Sequence, residues 1–247
     1  MDALTYGIPW PPLLLAPFIG SFLGVLIQRL PEGRPVVMAR SACDQCGHLL
    51  GPRDLMPLVS HALSGGRCRY CRAVIGLFPP AIELAALVVA LWTTLVVTDA
   101  MLLWATCLLG WTLLTLAWID VRTMILPDVL TLPLLMAGLI VTWLMASDAL
   151  LEHVLGAVFG YLGLTAVAWG YRWLRGREGL GMGDARLLGA AGAWLGLSAL
   201  PFVVLLAACL GLLAAGIALV AGTRVTAATA IPFGPFLALA TWLAWLG

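Results

Sequence analysis

Two groups of side chains in this 247-residue sequence are typed and spaced for chemistry. The first is sulfur. Cys43-Asp44-Gln45-Cys46 and Cys68-Arg69-Tyr70-Cys71 are CxxC turns, and each brings two thiolates to one point. Together they complete a tetrahedral four-sulfur shell suited to Zn²⁺. The second group is carboxylate: Asp120 in Ile119-Asp120-Val121-Arg122, Asp128 in Leu126-Pro127-Asp128, and Asp184 in Gly181-Met182-Gly183-Asp184. Two carboxylates sharing one site cannot both ionise cheaply, so one keeps a proton while the other takes a proton from water. Such a pair hydrolyses a peptide bond without a metal. The glycines ahead of Asp184 add a backbone that an extended substrate strand can approach closely.

Each group also has a plainer reading. Paired cysteines form disulfides in oxidising compartments. Asp128 follows a proline and opens an apolar run, so it can cap a helix, and Asp184 can do the same. His48 and His61 lie beside an already complete sulfur set and read as surface or loop residues. Cys107 and Cys209, each inside an apolar run, read as small buried hydrophobes.

What holds the two groups in place is a lipid bilayer. The chain is 62% hydrophobic and 10% charged, with a mean hydropathy of +1.05, which excludes an ordinary soluble globule and a disordered chain alike. A net charge of +1 carries no signature of a nucleic-acid partner. Unbroken apolar runs such as 84–97 and 200–220 exclude the alternating strands of a membrane barrel. The pattern predicts an all-α polytopic membrane protein of about eight transmembrane helices, near 10–29, 81–97, 101–119, 128–146, 152–171, 185–199, 201–221 and 231–246. Three parts follow: a first transmembrane helix (1–30), a cytoplasmic four-Cys loop domain (31–79) and a seven-helix core (80–247).

All thirteen basic residues are Arg, and they fall in four clusters separated by pairs of apolar segments. Retention of Arg on the cytoplasmic side places these clusters inside the cell and both termini outside it. The first helix lacks a basic n-region and a small-residue cleavage site, so it reads as retained. The four-Cys loop then lies in the reducing cytoplasm, which favours zinc over disulfides. Asp120 closes the third span as it reaches the cytoplasm and Asp184 opens the sixth as it leaves. Both therefore lie at similar depth on one face, where an ionisable group is a functional candidate.

Together the ordered motifs resemble the prepilin peptidases, the type IV leader peptidases of the GxGD aspartic protease class. The residues that carry the resemblance include Gly20-Ser21-Phe22-Leu23, Arg29-Leu30-Pro31, the two CxxC turns, Pro80 and Glu83, Asp120, Gly181-Met182-Gly183-Asp184 and Ile231-Pro232-Phe233-Gly234-Pro235-Phe236. The resemblance implies catalytic roles for Asp120 and Asp184 and zinc binding by Cys43, Cys46, Cys68 and Cys71. It also implies a bacterial inner-membrane enzyme that cuts the short basic leader from type IV prepilins or type II secretion pseudopilins, after Gly, at the cytoplasmic face. Many members then methylate the new N-terminus with S-adenosylmethionine. The chain departs from the usual pattern at Gly24, at Leu55 and at Phe78-Pro79. For such a substrate, the Gly179–Gly183 backbone, with Gly181 and Gly183 foremost, is expected to hold the leader, and Glu178 is its expected charge partner.

A polytopic transporter using intramembrane carboxylates and a zinc-stapled assembly scaffold are the alternatives from other classes. The transporter does not explain a four-Cys cytoplasmic module or acids gathered at one membrane face, and the scaffold reads Asp120 and Asp184 as helix caps.

Overall fold

The structure, a computed structural model, describes residues 10–36, 40–176, 181–222 and 231–247. Among them the regular elements are helices: α1 (Trp10–Arg29), α2 (Val59–Ser64), α3 (Phe78–Val96), α4 (Ala100–Thr123), α5 (Asp128–Met145), α6 (Leu150–Arg175), α7 (Met182–Leu195), α8 (Leu200–Val220) and α9 (Gly234–Leu246). All eight expected spans are helical. Six of them, α1, α3, α4, α5, α6 and α8, are long and apolar enough to cross a membrane. The other two are shorter. α7 has 14 residues and α9 has 13, against the roughly 20 that a full crossing takes. The chain divides into two compact units, Met1–Thr115 and Leu116–Gly247, with the boundary inside α4.

In the first unit α1 packs along α3. Gly20 makes that approach possible, because a Cβ there would lie 2.6 Å from the Cα of Glu83. The indole Nε1–H of Trp111 on α4 donates to the Ala86 carbonyl of α3 at 2.9 Å, so a buried polar atom is satisfied across the helix pair. Between α1 and α3 the loop builds two knuckles on one plan. In the first, the amide of Cys43 donates to the His48 carbonyl and that of Gly47 to the Cys43 carbonyl; in the second, Cys68 donates to Ala73 and Arg72 to Cys68. Each is closed by a single bridge, Ala42 with Leu49 and Arg67 with Val74. The turn needs a left-handed residue at the same place in both: Gly47 at φ 69° and Arg72 at φ 61°.

In the second unit α7 is the central element. Ten of its residues are buried, from Asp184 to Trp194, and it packs on α5, α6, α8 and α9. Small residues let α6 come in tightly: a Cβ on Gly192 would lie 2.2 Å from the Gly156 carbonyl oxygen. The Trp194 indole donates to the Leu134 carbonyl of α5 at 2.8 Å. Polar pins fix the end of this bundle remote from Asp184. His153 Nδ1 lies 3.0 Å from the Ala193 carbonyl and 3.1 Å from the Thr142 hydroxyl, and the Ser198 hydroxyl donates to Glu152 at 2.6 Å. Cys107 is buried as expected, but Cys209 is exposed on α8, whose outer face is apolar almost throughout.

Candidate functional site

Asp120 lies in the last turn of α4 and Asp184 in the first turn of α7, 5% and 8% exposed respectively. Both belong to the second unit, and their carboxylates are close enough to interact through their charges.

The backbone supports each acid separately. The Gly234 amide at the start of α9 donates to Asp120 Oδ2 at 3.0 Å. A larger residue there would push the carboxylate aside, because a Cβ would stand 2.7 Å from the same oxygen. Asp184 bonds back to the Gly181 backbone, while its own amide donates to the Gly181 carbonyl at 3.1 Å. This is the return half of a capping box, with Gly181 at the N-cap, its amide met by the acid three residues on, and no N-cap side chain to supply the other half. The cap reading of Asp184 and its site reading are thus the same arrangement. Gly183 is half-exposed, and the absence of a side chain there lets Leu126 approach: a Cβ would lie 2.8 Å from the Leu126 Cβ. Leu126 is itself buried, so the short connection from α4 to α5 is stapled onto the first turn of α7. Glu178 and Gly179 lie outside the described residues.

Asp128 does not cap α5. Pro127 occupies the N-cap position without a side-chain bond, and the Asp128 carboxylate pairs with the Arg186 guanidinium of α7. A charged partner on a neighbouring helix outcompetes the local backbone amides.

In the first unit the four loop cysteines converge. Each offers one sulfur, and all four sulfurs lie within 4.8 Å of one another. The Cys43 and Cys71 sulfurs are 3.8 Å apart. A tetrahedron with Zn–S bonds of about 2.3 Å has edges of about 3.8 Å, so the cluster can close on a zinc ion by side-chain shifts of about 1 Å or less. The Cys46 and Gln45 amides hold the Cys43 thiol at about 7, well below its ordinary value. Against the Ala73 amide, which favours the thiolate, partial desolvation and the neighbouring sulfurs of Cys46, Cys68 and Cys43 push Cys71 up to about 11. Four sulfurs this close cannot all ionise until a cation joins them. His48 is a loop residue, as expected, and stacks on Tyr70 of the other knuckle with ring centroids 3.6 Å apart.

Two features escape sequence reasoning. One is Gly234, whose motif is visible but whose contact with Asp120 spans a long stretch of chain. The other is Glu83, 6% exposed on α3, which accepts the Leu58 amide at 2.7 Å. It lines a cavity of about 420 Å³ in the first unit, together with Ser21, Gln28, Arg29, Asp54 and His61. The signal available for Glu83 was an acid six residues into an apolar helix.

Comparison with known proteins agrees with this geometry. Residues 107–216 match the type IV leader peptidase family, and residues 14–97 match the bacterial peptidase A24 N-terminal domain. A prepilin leader peptidase/N-methyltransferase of Aeromonas salmonicida is 37% identical, over 98% of this chain and 93% of its own length. Proteins of the same description from Pseudomonas aeruginosa (38% identical; 95% of this chain, 88% of theirs) and Burkholderia pseudomallei (39%; 92% and 81%) are similar as well. No solved structure matches the chain. Both halves of the sequence are matched, and relatives well above 30% identity span nearly all of it, so the chain belongs to the type IV leader peptidase family.

Proposed function

We propose that this multi-pass inner-membrane protein cleaves the leader from type IV prepilins or type II secretion pseudopilins after Gly and methylates the new N-terminus. The observation that carries the proteolytic half is the buried Asp120–Asp184 pair, set on helices remote in sequence. The ionised acid takes a proton from water, and the hydroxide so formed bonds to the scissile carbonyl carbon. The protonated acid gives its proton to the carbonyl oxygen. Collapse of that adduct breaks the C–N bond: one of its hydroxyls returns a proton to the acid that gave one, re-forming C=O, and the leaving nitrogen receives the proton first taken from water. The Gly234 amide holds Asp120 in place, and the Gly181 turn holds Asp184.

The substrate lies with its apolar helix in the bilayer and its basic leader in the cytoplasm, beside the Gly181–Gly183 segment and Glu178. Both termini of the enzyme face away from the cytoplasm. In the three-part division at 1–30, 31–79 and 80–247, the loop carries a structural Zn²⁺ on Cys43, Cys46, Cys68 and Cys71, and the core carries cleavage. S-adenosylmethionine, when bound, supplies an electrophilic methyl group. The first-unit cavity suits it, because its lining offers acids, arginines and hydroxyls to a ligand bearing both charges, at a volume typical of small-molecule sites.

Leader cleavage of a membrane-reconstituted prepilin tests the dyad. Asp120→Asn and Asp184→Asn should each abolish cleavage while remaining inserted, since Asn keeps the shape and cannot titrate. Full activity in either variant overturns the assignment.

A further inference from the structure

Glu83 is a buried acid for which proteolysis has no use. It sits about 8 Å along α3 from that helix's start, taking 1.5 Å per residue, and lines the first-unit cavity. Its known partners are donors: the Leu58 amide at 2.7 Å and the Ser21 hydroxyl, with His61 near enough to feel its charge. Leu58 itself is strained. At φ 59° and ψ −48° it forms the rare form of γ-turn, with the Val59 amide donating to the Pro57 carbonyl at 2.5 Å. A leucine in this conformation persists only where its surroundings over-determine it, and such strain gathers at ligand sites. Here the surroundings are the Glu83 carboxylate. A purely structural acceptor for one amide does not require a charged residue buried among apolar helices, where an ionised acid is costly.

We propose that the Glu83 carboxylate binds the new N-terminal ammonium of the cleaved substrate in the first-unit cavity and takes one of its protons. The inference rests on the methyltransferase reading above. An ammonium carries three donors and no acceptor, and a carboxylate is its complement. Transfer of one proton from nitrogen to the carboxylate oxygen leaves a neutral amine, whose lone pair is then free to accept a methyl group. The depth is suitable too. Glu83 lies near the loop end of a membrane-crossing helix, where an apolar chain lying in the bilayer presents its leading nitrogen.

The test compares Glu83→Gln with the unaltered protein in zinc-loaded, reconstituted form. Gln keeps an acceptor oxygen for Leu58 and Ser21, so zinc content and thermal unfolding should be preserved, while the charge and the proton acceptor are lost. The probe is an apolar peptide of about 20 residues with a free N-terminal amine, set against its N-acetylated twin. The unaltered protein should bind the free amine about tenfold more tightly, the order expected of a charged hydrogen bond. Glu83→Gln should lose that preference, and kcat for methyl transfer to the free peptide should fall with it. If Glu83→Gln loses zinc, the comparison moves to a Leu58→Gly background, where the left-handed turn no longer depends on the acid. Retained preference and transfer in the Gln variant overturns the role of Glu83 and leaves the methyltransferase reading standing. Absence of transfer by the unaltered protein overturns both.

Discussion

The amide of Gly234 donates to a carboxylate oxygen of Asp120 across 3.0 Å, and no side chain can stand between them. One acid of the pair is thus aimed by the first backbone amide of α9, a helix distant in sequence from α4. Gly234→Ala should insert a methyl group 2.7 Å from Oδ2 and displace the carboxylate. A misplacement of this kind, near 1 Å, costs on the order of 10²-fold in rate. Initial rates of leader cleavage should therefore fall about 10²-fold, with insertion and zinc content unchanged.

On the proposed mechanism the two aspartates act on one water as a unit, so their losses should not add. The Asp120→Asn/Asp184→Asn double variant should cleave hardly more slowly than either single variant. Rates measured with long incubations and high enzyme concentration will show this. Multiplicative losses would mean that the acids work independently.

The paired knuckles make opposite demands on two residues. Gly47 and Arg72 hold the same left-handed turn, and only glycine does so without penalty. Arg72→Gly should stabilise the loop by about 1 kcal/mol and Gly47→Ala should destabilise it by a similar amount. Zinc retention against a graded chelator reads both directions in one assay.

Asp128 and Arg186 form a half-exposed ion pair, not a helix cap. Such pairs contribute roughly 0–1 kcal/mol. Asp128→Asn should accordingly lower cleavage by only a few-fold and leave the thermal midpoint nearly unmoved. A loss as complete as that of Asp184→Asn would place Asp128 in the chemistry.

Chelation contrasts the two units. Because water is activated by acids, metal removal should lower stability of the 31–79 loop while cleavage persists for as long as the fold does. Rapid loss of cleavage on adding chelator, before any change in helix content, would make zinc a participant.

The parts of this architecture legible from sequence are those written locally. Eight apolar runs read as helices because bilayer solvation demands closed backbone bonding in each one. Cys43, Cys46, Cys68 and Cys71 read as a cluster because spacing alone brings each pair together. Asp120 and Asp184 became partners through topology, since counting crossings gives depth. What escaped is written in contacts between distant segments. The Asp128 side chain was expected to serve its own helix start, yet Arg186 of α7 claims it. The approach of Leu126 to Gly183, which leaves no room for a Cβ there, is likewise a contact between distant segments. Glu83 carried a motif but no role until the Leu58 amide was seen pointing at it. The bounds of α7 and α9 differ for a related reason: α7 starts at Met182, ahead of the expected 185, and stops before Gly196, and α9 starts only at Gly234.

α7 is the shortest-sided partner in its own bundle, rich in glycine and alanine and carrying both Asp184 and Arg186. Lipid alone offers such a segment little reason to leave water. Its place is made by α5, α6 and α9, whose surfaces it needs as a solvent. Biogenesis of this protein therefore cannot proceed as independent insertion of eight self-sufficient segments. The Asp184-bearing helix must enter together with α6 or be drawn in after its neighbours have assembled, so a partly synthesised chain holds no working acid pair in the membrane of the cell that makes it.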